Sequence, residues 1–275
     1  MKTTWTHNHY NLGDNMLFLH LLRSIAKSHP DHWFIHFCNG CHLEPLRDMV
    51  LDLPNVMLDS FDARSLWDNI KDVSIDTWKN AGAGEGKLGF WERSKFRWDF
   101  SNFYLEHYEW TAKRMGFKSP FAIKEHLLFD YPGLESPATR NAFDFLIINS
   151  EPCSGQFGPM KQHGSGYLDE LILDLATRHR VITTNKVGNL PCTRAPFVAN
   201  LSVTEIGQMS SRCQHHLMVA SGPMWPTINT HNNHNRSGRM RIALLDNGEQ
   251  LNLPEIYQCA TVDEARQLLC REGLL

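Results

Sequence analysis

Alternating stretches of extended and helical hydrophobic pattern run along the first half of the chain. β-Branched and aromatic residues are frequent over 3–10, and the apolar positions of 16–26 then recur every three to four residues, as on one face of a helix. Strand-like stretches over 33–37 and 56–59 follow, each with a helical stretch after it, and a further strand-like stretch covers 73–78. This alternation of strand and helix predicts a parallel β-sheet covered by helices.

The second half restarts the same alternation after a segment of turn-forming residues. Residues 119–141 contain three prolines and Gly133 and few periodic apolar positions, so we interpret them as an inter-domain linker. Beyond it, the pattern predicts strands over 143–148, 181–184 and 217–220 and helices over 167–179 and 203–213. Thr261 and Glu264 have the spacing of a capping box and predict the start of a last helix that runs to residue 270. The sequence therefore predicts an α/β protein with one βα domain over 1–118 and a second over 142–275.

The composition argues against several classes of protein. A net charge of −3 gives no basic field of the kind that favours nucleic acid. No apolar run approaches the roughly 20 residues that a membrane-spanning helix needs, and the N-terminus has no charged-then-apolar signal pattern. Seven cysteines, an odd number in a chain without such a signal, indicate reduced thiols. We therefore expect a cytoplasmic protein without a transmembrane segment.

The turn after the first strand holds the most informative motif. Gly13-Asp14 stands where the first predicted strand passes into the first helix, and a glycine there lets the backbone approach a ligand. The helix start presents unpaired N–H groups, and the Asp14 carboxylate is placed to act as general base on an acceptor hydroxyl. The alternative is that Asp14 only caps the helix, since aspartate is among the best N-cap residues.

A second turn of this kind, Ser221-Gly222-Pro223, follows the strand predicted over 217–220. A helix that begins at this glycine could seat a phosphate on its N–H groups and the positive end of its dipole. Proline suits the first helical position, where its missing N–H is not needed. The alternative is an ordinary strand-to-helix turn. Together, the two turns could face one cleft.

The loop over 149–156 follows the first strand of the second half and is rich in small and hydroxyl residues. Its side chains, Ser154 among them, could line a nucleotide site. Lys161 lies between this loop and the next helix, where an ammonium group could meet a diphosphate. The alternative for this residue is a solvated loop lysine.

Other motifs have simpler interpretations. Cys38 and Cys41 belong to a Cys-x-x-Cys-His sequence that matches c-type haem attachment and also a redox dithiol, but a reduced structural pair is our interpretation because haem attachment needs export. His7 and His9 could share a strand face, and without carboxylates arranged around them we favour solvated loop histidines over a metal site. The bases and aromatics interleaved over 90–98 indicate an amphipathic surface with its aromatics packed inward.

The order of these motifs resembles glycosyltransferase family 9, which contains the heptosyltransferases. There, a Gly-Asp turn like Gly13-Asp14 opens a helix with a Leu-Arg pair, here Leu22-Arg23, and with a His-Pro end, here His29-Pro30. The second half is similar too, with Lys161 before a leucine-rich helix and Ser221-Gly222-Pro223 after a buried strand.

The resemblance implies a GT-B-like fold of two Rossmann-like βαβ domains facing a central cleft, with no cofactor and no metal. It implies inverting transfer of a sugar from a nucleotide-sugar donor to a hydroxyl of a saccharide or other acceptor. The domain over 1–118 would lie on the acceptor side, the domain over 142–275 would bind the nucleotide sugar, and Asp14 would be the catalytic base. The implied donor-binding residues are Gly13, Ser154, Lys161, Ser221, Gly222 and Pro223.

The alternative function is a non-catalytic nucleotide- or sugar-binding module of the same fold. Two departures from the family favour it. Family members often have an acid immediately before the Ser/Thr-Gly pair, where this chain has Ala220. They also have a histidine three residues after the glycine, where this chain has Trp225.

Overall fold

The chain forms two compact units in a computed structural model, Met1–Leu127 and Leu128–Leu275. The boundary between the units falls inside the segment interpreted as a linker, while the roles assigned to the two domains stay predictions. The structure describes these residues: 2–62, 64–77, 98–121, 128–132, 142–150, 164–192, 202–234, 238–245, 249–250 and 256–275.

The first unit is built on a parallel sheet, which confirms the fold class expected for this half. Its strands are β1 (Lys2–Asn8), β2 (His32–Cys38), β3 (Val56–Ser60) and β4 (Ile75–Asp76), in the spatial order β3-β2-β1-β4. Thr6 of β1 lies opposite His36 of β2, and both neighbours of β1 run parallel to it. All strands therefore end at the same edge of the sheet, which carries the loops that lead into the helices.

Helices cover both faces of this sheet. The elements are α1 (Leu12–Ser28), α2 (Gly40–Arg47), α3 (Arg64–Ile70), the short strand β5 (Trp98–Asp99) and α4 (Phe100–Arg114). The ring of Phe18 in α1 packs against that of His36, with 4.6 Å between the ring centroids, and the ring of Trp67 in α3 packs against that of Phe37, with 5.6 Å between the centroids. Because neighbouring residues of a strand point to opposite faces, α1 and α3 lie on opposite sides of β2.

Asn55 fixes the connection between α1 and the sheet. Its buried Nδ2 donates to the carbonyl oxygens of Ala26, His29 and His32, at 3.2, 3.1 and 2.9 Å. These carbonyls lie at the end of α1 and the start of β2, where the last helix carbonyls lack the usual intrahelical donors; Ala26 O and His29 O also accept from His29 N–H and His32 N–H. One amide side chain thus closes the end of the helix predicted to stop near His29.

The second unit has a five-stranded parallel sheet. Its strands have the spatial order β11-β9-β8-β6-β7, with β8 in the centre. A parallel central strand covered on both faces needs a nearly continuous apolar sequence, and 217–220 supplies one. The strands are β6 (Phe143–Ile148), β7 (Val181–Thr183), β8 (Cys213–Val219), β9 (Arg241–Leu244) and β11 (Tyr257–Cys259), with β10 (Glu249–Gln250) preceding the last of them in the chain.

The α-helices of this unit are α5 (Asp169–Ala176), α6 (Val203–Ser211), α7 (Thr230–His234) and α8 (Val262–Arg271), and 3-10 helices cover Ser165–Leu168 and Gly222–Thr227. Capping side chains precede two of them, α6 and α8. Ser202 accepts from Glu205 N–H at 3.2 Å before α6. Thr261 accepts from Glu264 N–H at 3.1 Å before α8, where a capping box was predicted.

Gly207 of α6 is a point of close packing in this unit. Tyr131 Oη donates to Pro226 O at 2.7 Å, and a Cβ atom on Gly207 would overlap Tyr131 Oη and lie 2.8 Å from Pro226 O. Only glycine leaves room for this contact. The phenol therefore connects the segment before β6 to the 3-10 helix Gly222–Thr227.

Two elements are shorter than the pattern indicates. The strand predicted around 73–78 is reduced to β4, because the amides of Val73 and Ser74 donate back to Ile70 O at the end of α3. The helix predicted over 167–179 begins with the 3-10 helix Ser165–Leu168 and reaches only Ala176 in α-helical form.

Buried histidines are a feature of both units. His36 of β2, His107 of α4 and His216 of β8 are almost fully buried. Burial lowers the pKa of each imidazole, to about 3 for His36 and about 4 for His107, and far below the ordinary value for His216. All three are therefore neutral at physiological pH.

Candidate functional site

The turn after β1 places Asp14 in the first turn of α1. Asn11 is the N-cap residue, so Gly13 and Asp14 occupy the second and third helical positions. Asp14 Oδ2 accepts from Asn11 N–H at 3.2 Å. The alternative that Asp14 is the N-cap residue is therefore wrong, because Asn11 is the N-cap. The Asp14 carboxylate still takes part in the cap from inside the helix.

Two other polar side chains hold the backbone of this turn. Asn8, the last residue of β1, accepts from Tyr10 N–H through Oδ1 at 2.8 Å. Asn15 Nδ2 donates to Asn11 O at 3.0 Å and to Tyr10 O at 3.4 Å. The turn is therefore fixed by Asn8, Asp14 and Asn15 together, and its shape does not depend on Gly13 alone.

The electrostatic state of Asp14 is unusual for an aspartate. Burial raises its pKa from 3.8 to about 6, while the hydrogen bond from Asn11 N–H has a smaller, lowering effect. A carboxylate with a pKa near the working pH is well suited to take a proton from a hydroxyl. Such a value is also a common property of residues in functional sites.

Asn8 has an unmet hydrogen-bonding group beside this turn. The residue is fully buried, and its Nδ2 has no hydrogen-bond partner among the described residues. A buried donor without a partner loses about 1–3 kcal/mol of solvation. Such a group in a native fold therefore needs an explanation, and contact with a ligand is one.

The turn after β8 has a similar buried polar atom. Ser221 is 3% exposed, and its Oγ has no hydrogen-bond partner within the described part of the chain. The serine is the N-cap of Gly222–Thr227, and Pro223 lies in the first turn. The helix expected here is a 3-10 helix of six residues, so its dipole is smaller than that of the longer α-helix on which the phosphate prediction was based.

Polar side chains also connect the segments that follow β6 and β7 by hydrogen bonds. Asn149 follows β6, and its Oδ1 accepts from Asn185 N–H at 2.7 Å and from Thr184 Oγ1 at 3.1 Å. Ser150 Oγ lies 2.9 Å from Thr184 Oγ1. Ser154 and Lys161, the predicted donor-binding residues of the following loop, lie outside the described residues, as do the glycine-rich stretch 80–89 and the aromatic stretch 90–97.

Trp225 belongs to the core of its unit. It is 3% exposed and its ring lies 6.3 Å from that of Phe129. Ala220 is buried as well, and its N–H donates to Leu244 O at 3.1 Å. The two positions at which the chain departs from family 9 are thus occupied by packing residues.

The remaining candidate residues are placed as follows. Cys38 and Cys41 are free cysteines, and burial raises the pKa of the Cys38 thiol to about 12, which keeps it protonated and unreactive. The interpretation of His7 as a solvated loop histidine is wrong: it lies buried in β1, 2.9 Å from Ser74 Oγ through Nδ1 and 3.7 Å from Asp76 Oδ2 through Nε2. No three metal-ligating side chains among the described residues are grouped to hold an ion.

Sequence reasoning missed Asn8, Asn15 and His36. A histidine inside the apolar stretch 33–37 was the one available signal, because a polar residue at a core position of a strand needs a partner. Among the described helices, none has the length and apolar content to cross a membrane.

Comparisons with known proteins rest on structure. No family model matches the sequence, and no curated protein sequence matches it either. The heptosyltransferase WaaC of E. coli, solved with ADP-2-deoxy-2-fluoro heptose, superposes with a TM-score of 0.55 at 10% identity, covering 98% of this chain and 99% of that one. The chain has the GT-B fold.

Two further structures agree with this assignment. WaaC solved with ADP gives a TM-score of 0.53 at 11% identity, with 98% of each chain covered. A family 9 glycosyl transferase from Veillonella parvula gives 0.50 at 11% identity, with 99% of this chain and 89% of that chain covered. At such identities the likeness establishes the fold, and the prediction of two Rossmann-like α/β domains is confirmed.

Proposed function

We propose that this protein is a glycosyltransferase that moves a sugar from a nucleotide-sugar donor to a hydroxyl group of an acceptor. The observation that carries the proposal is the Asp14 carboxyl, partly buried in a turn at the carboxyl edge of a parallel sheet, with a pKa of about 6. Ligands of open α/β sheets bind at this edge. A GT-B fold with such a carboxylate suits base-assisted transfer to a hydroxyl.

In the proposed reaction, Asp14 takes the proton of the acceptor hydroxyl as its oxygen attacks the anomeric carbon of the donor. The bond from that carbon to the diphosphate breaks at the same time, and its electron pair leaves with the phosphate oxygen. Attack opposite the leaving group inverts the anomeric configuration. The protein must stabilise the negative charge that develops on the diphosphate, and fixed hydrogen-bond donors do this without a metal.

The donor diphosphate is assigned to the second unit. The Ser221 hydroxyl is buried at the end of β8 without a partner among the described residues, and Gly222 and Pro223 follow it. We assign a phosphate oxygen as the acceptor of this hydroxyl. By the resemblance to family 9, Gly13, Ser154 and Lys161 also contact the donor. WaaC was solved with ADP, so ADP is the first probe for this chain.

The experiment measures donor binding and turnover separately. Calorimetry with a panel of nucleoside diphosphates identifies the base, and transfer or hydrolysis of the matching nucleotide sugars is then measured for wild type and Asp14→Asn. We expect turnover to fall by roughly 10²–10⁴-fold while the affinity for the diphosphate stays within about twofold. Asp59→Asn is the matched control, since Asp59 lies in β3 near the same sheet edge and accepts from Ser60 N–H. Equal turnover in Asp14→Asn and wild type would rule out the base role.

The second candidate function is a binding module without catalysis. The buried Trp225, in the core where the family has a histidine, favours it. This candidate predicts a diphosphate that binds to wild type and is lost in Ser221→Ala, with no turnover of any donor in the panel.

A further inference from the structure

A chain of buried polar side chains connects the sheet of the first unit to the turn that carries Asp14. Thr6 of β1, His36 of β2 and Asn15 of α1 are each fully buried. Thr6 and His36 are partners in the parallel register, so their side chains leave the sheet on the same face. Phe18 of α1 packs against His36 on that face.

Each step of the chain is a hydrogen bond of ordinary length. Thr6 Oγ1 lies 3.1 Å from His36 Nδ1, and His36 Nε2 lies 3.0 Å from Asn15 Oδ1. Asn15 Nδ2 donates to the carbonyls of Asn11 and Tyr10. Asn11 in turn donates its N–H to Asp14 Oδ2. The chain therefore ends at the carboxylate assigned as the base.

The Asn15 amide determines which atoms carry the protons in this series of hydrogen bonds. Asn15 uses its NH₂ group for two backbone carbonyls, so its oxygen faces His36 and can only accept. His36 must then carry its proton on Nε2. Burial, with a smaller contribution from His7, keeps this imidazole neutral, so Nδ1 has no proton and accepts from the Thr6 hydroxyl, whose other acceptor, Ile35 O, is farther away at 3.4 Å. Only one tautomer satisfies every group.

We propose that His36 is a positioning residue for Asp14. It holds the Asn15 amide in the orientation that donates to the carbonyls of Tyr10 and Asn11. The turn in this shape then holds the Asp14 carboxylate where an acceptor hydroxyl reaches it. This inference rests on the proposed function, in which Asp14 is the base. Apolar side chains at Thr6, His36 and Asn15 could fill the same space without a loss of stability. Polar side chains occupy it instead, and their hydrogen bonds lead to the turn that carries Asp14.

The test compares two variants of His36. His36→Leu removes both hydrogen bonds, whereas His36→Gln restores a donor that can reach Asn15. A displacement of about 1 Å at a reacting group lowers turnover by about 100-fold, so we expect kcat to fall 10- to 100-fold in the leucine variant with the donor KM within about twofold. The glutamine variant should recover most of the loss. His20→Gln is the matched control, because His20 is buried in α1 too but contacts Tyr108 Oη, 3.2 Å away, and it should behave as wild type.

Hydrogen exchange gives a readout that does not depend on turnover. The Asn11 amide is held by Asp14 only while the turn keeps its shape, so its exchange should quicken at least tenfold in His36→Leu and stay unchanged in His20→Gln. Thr6→Val, nearly isosteric, removes the donor to Nδ1 and should give a smaller change in the same direction, which keeps the test open if the leucine variant does not fold. Wild-type kcat and wild-type Asn11 exchange in the folded His36→Leu and Thr6→Val proteins would overturn the inference. If instead Asp14→Asn turns over like wild type, the base role fails, and the exchange of Asn11 still decides whether His36 holds the turn.

Discussion

Replacing Asp14 by asparagine tests whether its carboxylate serves the fold or a reaction. A carboxylate kept only to complete the cap of α1 would stabilise the protein. Burial instead raises the pKa of Asp14 to about 6, so the ionised form is disfavoured in the folded chain. Asparagine has nearly the same shape and keeps an oxygen that can accept from Asn11 N–H. We therefore expect Asp14→Asn to be more stable than wild type at neutral pH while its turnover falls.

The magnitude follows from the pKa. The folded-state value of about 6 lies above the value of 3.8 expected in the unfolded chain, so the folded protein binds the additional proton between these two pH values. The wild type therefore loses stability as the pH rises from 3.8 to about 6. A difference of roughly 2 pH units corresponds to about 3 kcal/mol in full. Since the carboxyl is only partly buried, we expect about 1–2 kcal/mol above neutral pH and no difference near pH 3.5.

Urea unfolding of both proteins across about pH 4 to 8 measures this difference directly. Asp144→Asn is a control of opposite sign, because the hydrogen bonds from Arg180 hold the pKa of Asp144 below its usual range. That variant should be less stable than wild type at neutral pH, and the difference should shrink on acidification. If Asp14→Asn proves less stable than wild type at about pH 8, the carboxylate serves the fold, and the reasoning from burial is wrong.

Three further predictions concern both units. Gly207→Ala forces a Cβ onto Tyr131 Oη and Pro226 O, and should lower the unfolding free energy by about 3 kcal/mol. Gly166→Ala is its control, because a Cβ there would meet the Asp169 carboxyl at an ordinary 3.6 Å, and it should change the unfolding free energy by less than about 0.5 kcal/mol in the same urea titration. Asn55→Ala removes the side-chain donor shared by three carbonyls, of which those of Ala26 and His29 keep a backbone donor, and it should cost about 1–2 kcal/mol, measured by thermal unfolding. In the wild type, kcat/KM should rise with pH through about 6, as Asp14 becomes ionised, and a pH-rate profile that is flat from about pH 5 to 8 would contradict its role as base.

The elements of the fold follow from sequence where the hydrophobic period is long and a capping residue is present. The period of 16–26 predicted α1, and Thr261 with Glu264 predicted the start of α8. The sequence suggested Asp14 as a capping residue, but the extended backbone of Asn11 makes that residue the N-cap and leaves Asp14 inside the first turn.

Contacts between distant residues could not be predicted in the same way. His36 and Thr6 are 30 residues apart and meet only because the register of two parallel strands places them side by side. Tyr131 lies in a stretch with the composition of a linker, yet its hydroxyl reaches Pro226 beside α6. The sequence pattern shows the period of an element but not which elements pack beside it. The hydrogen bonds from Thr6 through His36 to Asn15 could therefore not be predicted from the sequence.

The buried histidines give this fold an acid limit. The pKa of His36 and of His107 is lowered to about 3 and about 4 by burial, whereas an imidazole in the unfolded chain takes up its proton near pH 6.5. Below pH 6.5 the unfolded chain therefore binds more protons than the folded chain does, so the free energy of unfolding falls as the pH is lowered from 6.5. Acidification therefore weakens the fold through rings that carry no charge in the folded chain, and this loss begins at a pH above the one at which most carboxylates take up their protons.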